Sequence, residues 1–148
     1  MSLTEDSKNK IELTVILEII GRPPEHLKEV LGQLIDKINL EDGINVKGRK
    51  IKEPIEIKDK KDFYSSFAEI DLEVESVILI AVLAFKYMPS HIEINNPEKI
   101  SMKNDQWNDI FNEIIRRLHG YDELAKVLQM QNAQMQKKLK EATENKEK

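Results

Sequence analysis

The feature that most constrains this chain is its C-terminal segment. From residue 103 onward the sequence contains no proline and is rich in strong helix formers. Its apolar side chains recur at alternating steps of four and three residues, a 3.5-residue period that favours a left-handed coiled coil over a plain surface helix. The sequence therefore predicts that residues 101–148 form a long oligomerisation helix. With Phe111 as heptad position a, the a and d positions form a line that we call the seam: Phe111, Ile114, Leu118, Tyr121, Ala125, Leu128, Asn132, Met135 and Leu139.

Several properties of this helix stay open at the level of sequence. Asn132 is a polar residue at an a position, a device that fixes register and favours two strands. A parallel pair would place Arg117 beside Asp122 of the partner, but most other flanking residues are Gln or Lys, so the orientation is not determined. Gly120 costs about 1 kcal/mol relative to Ala and is a candidate break. We favour an arrangement in which the first half of the helix packs on its own or a partner's domain and the second half pairs between chains. The alternative is that residues 107–128 fold back over the apolar second helix.

Residues 11–100 are predicted to form one α+β domain preceded by a disordered segment, residues 1–10. Alternating apolar residues indicate a strand at 11–20, and a helix with one apolar stripe then runs to Ile38. Strands are predicted near 44–57, 63–74 and 91–95, with a helix ending at Tyr87 before the last of them. This helix is apolar nearly all round and should be covered on more than one side. The order is βαββαβ, the pattern of a ferredoxin-like sandwich with both helices on one face of an antiparallel sheet.

Composition excludes several classes of function. The chain has 148 residues, enough for one domain with an appendage, and it has no cysteine, which excludes disulfides, thiol catalysis and zinc–thiolate sites. Its formal net charge of -4 argues against nucleic acid as a partner. The longest apolar run, from Val77 to Phe85, is far too short to span a membrane, and the N-terminus is polar. We therefore expect a cytoplasmic protein that binds neither membranes nor nucleic acid.

An acidic sheet face provides one candidate site. In the predicted strand order, His91 and Glu93 lie beside Glu18, which neighbours Glu69 and Asp71. These side chains could hold a divalent cation. A solvated sheet face explains the same residues, and we favour that interpretation.

Aromatic and catalytic motifs give weaker evidence for a functional site than the acidic sheet face does. Phe63 and Phe67 lie on the same face, but they are four residues apart and bracketed by serines and acids, unlike the stacking aromatics of an RNA-recognition domain. The chain has no nucleophile–base pair, phosphate-binding glycine loop or dinucleotide fingerprint. We expect no cofactor, and catalysis is the least favoured function.

The start of the first predicted helix is a candidate ligand site. Arg22 and His26, with Gly21 before them, could bind a small anion, because a helix N-terminus favours negative charge. The alternative is a solvent-exposed turn with no ligand.

The first hundred residues resemble an ACT-like regulatory domain. The resemblance lies in residues 16–23, in the helix from Leu27 to Ile38, in the turn and strand at 42–46, and in residues 88–94. It implies a βαββαβ fold, association between copies, and binding of an amino acid or another small effector after the first strand. Pro24 and Glu25 stand where the family usually has a glycine. The whole chain is equally compatible with an uncharacterised archaeal family of the same fold.

Together these observations predict a homodimer or higher oligomer that works by binding. One form is a regulatory module with a small-molecule effector at Gly21, Arg22 and His26. The other is an adaptor or scaffold that engages a protein partner through the C-terminal helix.

Overall fold

The computed structural model describes residues 10–147, which divide into one compact unit that ends at Ile110 and a second that begins at Phe111. The predicted α+β class is confirmed. The disordered segment predicted for residues 1–10 lies outside the described residues, apart from Lys10. The elements are β1 (Ile11–Gly21), α1 (Pro24–Asn39), β2 (Ile44–Ile51), β3 (Ile55–Glu56), β4 (Tyr64–Val74), α2 (Val77–Tyr87), β5 (His91–Asn96) and α3 (Asn104–Lys146).

The strands form one antiparallel sheet in the order β2-β4-β1-β5, and the short β3 pairs with β4. Along β1 and β4 the register is regular, from Ile11 opposite Val74 to Gly21 opposite Tyr64. The strand predicted to continue as far as residue 57 ends at Ile51. Residues 55–56 form β3 as a separate strand instead.

The core lies on one face of this sheet, under α1 and α2. Alternate residues of β1 and β4 are buried there, as the period of two in the sequence predicted. The apolar stripe of α1 covers them with Leu27, Leu31, Ile35 and Ile38. Ser66 is the one buried polar residue among the described residues, and its hydroxyl donates to the carbonyl oxygen of Lys52 at 2.9 Å. That bond offsets the cost of burying the hydroxyl.

Helix α2 is less enclosed than its composition suggested. Leu83 is its only fully buried side chain, although Leu79 and Ile80 also pack against the core. On another side of the helix, Ile78 lines a cavity of about 190 Å³ together with Met102 and the buried Ile110. The start of α3 thus provides some of the second cover that we predicted for α2.

Helix α3 continues through Gly120 without interruption, which answers the question of a break. Every side chain from Phe111 to Lys146 is exposed or half-exposed. In the described part of the chain, no helix is long and apolar enough to cross a membrane.

Candidate functional site

The seam is a line of exposed apolar side chains along α3. Leu118 and Leu128 are each 53% exposed, and Leu139 is 69% exposed. A helix normally buries such a stripe against another element, and a contiguous apolar patch on a surface marks an interaction site. The placement of the seam on one continuous helix makes it the strongest candidate site in the second unit.

Ion pairs within α3 hold the charged residues beside the seam. The carboxylate of Glu113 accepts hydrogen bonds from Arg116 Nη2 at 2.7 Å and from Arg117 Nε at 2.6 Å. The hydrogen bond from the Arg116 guanidinium lowers the pKa of Glu113, and the bond from Arg117 lowers it further. Lys126 Nζ lies 2.7 Å from Asp122 Oδ2. Arg117 and Asp122, which a parallel pair would join, therefore each have a partner in their own helix.

Some exposed apolar residues of α3 lie outside the heptad a and d positions. Leu124 and Val127 are 55% and 49% exposed and widen the apolar face on one side of the seam. Met130, 64% exposed, lies on the opposite side of the helix from the seam. The signal for Leu124 was present in the sequence, since it occupies the g position next to Ala125.

A second candidate site lies where β1 meets α1. Arg22, Pro23 and Pro24 line a cavity of about 490 Å³ together with Asp62 and Tyr64. The Arg22 guanidinium also lies over the ring of Phe63, 5.2 Å from its centroid, a distance at which a cation is attracted to the aromatic face. The sequence predicted Arg22 as a residue of this site. It did not indicate Asp62, Phe63 and Tyr64, which complete the site from the segment before β4 and from the first residue of β4.

The backbone at this site offers little to an anion. Pro23 and Pro24 have no N–H, and the amide of His26 donates to the carbonyl oxygen of Pro23 at 3.1 Å. The imidazole of His26 is exposed and 3.9 Å from Glu29. A side chain at Gly21 would meet Leu27 at 3.1 Å, so this glycine permits close packing between β1 and α1.

The acidic sheet face is open, as expected, but its side chains are spread out. His91 pairs with Ile16 across β1 and β5, and its Nε2 atom is 3.8 Å from Glu93 Oε2. Glu18 lies farther along β1, opposite Phe67. Within residues 10–147, no three His, Asp or Glu side chains are grouped so that they could hold a metal ion.

Comparison with protein-family models matches residues 12–147 to the model described as the MJ0538 family. The chain therefore belongs to the MJ0538 family. Searches of curated proteins and of solved structures gave no match. The resemblance to ACT-like domains stays a prediction.

Proposed function

We propose that this member of the MJ0538 family is a binding protein that assembles with copies of itself through the seam of α3. The observation that carries the proposal is the exposure of the seam along a helix of 43 residues. In this function the first unit, as a ferredoxin-like domain, is presented by the oligomer to a protein partner. The sheet order β2-β4-β1-β5 supports that fold when β3 is taken as an excursion between β2 and β4.

The energetics favour association. Burying a side chain such as Leu118 or Leu128 stabilises by roughly 1.5–3 kcal/mol. Several such residues along two helices outweigh the roughly 4–15 kcal/mol that association costs in lost freedom of motion. A monomer would leave this entire apolar line in water.

The test is the molar mass of the full chain in solution, measured by light scattering after size-exclusion chromatography. We expect a dimer or a higher oligomer. Leu118→Lys and Leu128→Lys should each shift the equilibrium towards monomer, because they place a charge in the seam. Met130→Lys is the matched control, since Met130 is as exposed but lies off the seam, and it should leave the mass unchanged. A monomeric wild-type chain at high micromolar concentration would refute self-assembly.

The cavity beside Arg22 supports a second candidate function, a regulatory module for a small effector. Its volume of about 490 Å³ is within the range of small-molecule sites. Arg22 and Asp62 at its rim suit a zwitterion such as an amino acid better than a simple anion, because both signs of charge are present.

Thermal unfolding in the presence of single amino acids tests this candidate. A binding amino acid should raise the melting temperature of the wild-type chain and not that of Arg22→Ala. Arg49→Ala is the matched control, because Arg49 lies on β2 and pairs with Asp36 at 2.8 Å. If no amino acid shifts the wild-type transition, the effector function is wrong.

A further inference from the structure

We propose that two α3 helices pair antiparallel, in a single register that sets Asn132 of one copy against Tyr121 of the other. The inference rests on the proposed self-assembly and adds its direction and alignment. In an antiparallel coiled coil, a residues of one helix meet d residues of the other in successive layers. The choice of direction therefore decides which side chains share a layer.

One antiparallel register matches the seam, together with the next d position at Ala142, with itself along its whole length. When Ala125 of one copy faces Leu128 of the other, a small residue meets a large one at the centre of the pair. Near each end of the pair, Ala142 of one copy faces Phe111 of the other, again a small residue against a large one. The layers of Ile114 with Leu139 and of Leu118 with Met135 join residues of similar size. The other layers join Phe111 with Ala142, Ile114 with Leu139, Leu118 with Met135, and Tyr121 with Asn132.

The register also uses nearly all of α3. The helix runs from Asn104 to Lys146, and the central layer of Ala125 and Leu128 lies close to its midpoint. Neither end of the helix is left without an opposing helix. A shift by one heptad would leave seam residues without an opposing residue at each end and would separate Tyr121 from Asn132.

Asn132 gains a chemical partner in this arrangement. A buried amide needs a hydrogen bond, and an apolar layer supplies none. The Tyr121 hydroxyl can both donate and accept, so it satisfies the amide while its ring fills the layer. Because the Tyr121 hydroxyl faces Asn132 in only one alignment of the two helices, the hydrogen bond also selects the register.

A parallel pair would be packed less well. Each layer would then contain two copies of the same residue, so Ala125 would face Ala125 and leave a gap, while two Tyr121 rings would share another layer. A gap in a packed layer forfeits contact energy on both sides. Asn132 would face Asn132, so the two amides could pair, but the Tyr121 hydroxyls would have no amide opposite them.

The charges of α3 are segregated along its length. From residue 104 to 123 the acidic residues outnumber the basic ones by five to two. From residue 124 to 140 the charged residues are four lysines: Lys126, Lys137, Lys138 and Lys140. In the antiparallel register Glu113 of one copy lies level with Lys140 of the other, whereas Arg117 lies near Lys138, so charge does not distinguish the two directions.

Disulfide cross-linking tests the direction, because the natural chain has no cysteine. Leu118→Cys and Met135→Cys are made singly and together in the full chain, and each protein is oxidised with copper–phenanthroline. In the proposed register each Leu118 faces Met135 of the other copy, so only the double variant should form covalent dimers. The two Leu118 positions are then about 25 Å apart at 1.5 Å per residue, too far for a disulfide.

A second double variant tests the register. Leu118→Cys with Ala142→Cys places the same chemistry one heptad out of alignment, about 10 Å from a match, and should cross-link poorly. Efficient cross-linking of either single variant would show a parallel pair and overturn this inference while leaving self-assembly intact. An oligomer in which the proposed pair does not cross-link, or the shifted pair cross-links equally well, overturns the register. A monomeric wild-type chain overturns both proposals.

Discussion

The phenolic oxygen of Tyr87 lies 2.6 Å from Oε1 of Glu41 and ties the end of α2 to the loop that follows α1. Lys86 donates a hydrogen bond to the same carboxylate oxygen. The bond from Lys86, followed by that from Tyr87, lowers the pKa of Glu41. Burial, followed by the neighbouring carboxylate, raises the pKa of Tyr87 to about 12. The contact between Tyr87 and Glu41 should therefore be lost at high pH, where Tyr87 loses its proton, and at low pH, where Glu41 gains one.

At high pH, stability should fall as Tyr87 titrates. The pKa of Tyr87 is raised from 10.0 to about 12 on folding, so the unfolded chain loses this proton first. The stabilisation is complete below pH 10 and is lost as the pH rises towards 12. In urea denaturation, the wild type should lose on the order of 1 kcal/mol more than Tyr87→Phe over this range. Equal losses in the two proteins would contradict the prediction.

At low pH, Glu41 should contribute the opposite dependence. Its pKa in the folded chain lies below the ordinary value of 4.5, so its stabilisation is present above that pH and is lost as the pH falls through the folded-state value. Glu41→Gln should lower the free energy of unfolding by about 1 kcal/mol at neutral pH and flatten the acid side of the stability curve. Glu98→Gln, at an exposed carboxylate, is the control. If both variants keep the wild-type acid slope, the Glu41 contact is not stabilising.

Two glycines of the first unit should respond oppositely to alanine. Gly43 has a φ of +79°, and an added Cβ would lie 2.7 Å from Leu79, so Gly43→Ala should destabilise by roughly 1–3 kcal/mol. Gly32 is inside α1 and an added Cβ meets nothing within 4 Å. Gly32→Ala should stabilise by about 0.5–1 kcal/mol. Chemical denaturation measures both, and effects of the same sign would contradict the structure.

Leu83 should be the most sensitive residue of α2. It is fully buried, whereas Leu40 at the end of α1 is 82% exposed. Leu83→Ala should therefore lower the free energy of unfolding by roughly 2–5 kcal/mol, and Leu40→Ala by less than about 0.5 kcal/mol. The two truncations remove the same atoms, so similar losses would show that α2 does not pack on the core in this way.

Replacing Asn132 should stabilise the oligomer at the expense of its specificity. Asn132→Leu together with Tyr121→Phe removes both polar groups of this layer from an apolar seam, so the melting temperature should rise by a few degrees or the oligomer number should change. Gln134→Leu, which replaces an exposed amide at a position facing away from the seam, is the control. The seam would be ruled out by a variant with an unchanged melting temperature and mass.

Local patterns in the sequence determined the identity and the faces of most elements. The period of two in β1 and β4, the stripe of α1 and the 3.5-residue repeat of α3 each depend on neighbouring residues alone, because backbone geometry sets which side chains share a face. The boundary between β2 and β3 was missed, since an isolated pair of strand residues carries no period.

Only the tertiary structure decided which faces and loops meet. Tyr87 and Glu41 are 46 residues apart, and Arg22 meets Phe63 through the pairing of β1 with β4. Nothing in the local pattern around either residue specifies such a partner, because periodicity tells which way a side chain points and not what it will contact. Those contacts depend on how the strands are ordered and aligned, which is a property of the packed chain as a whole.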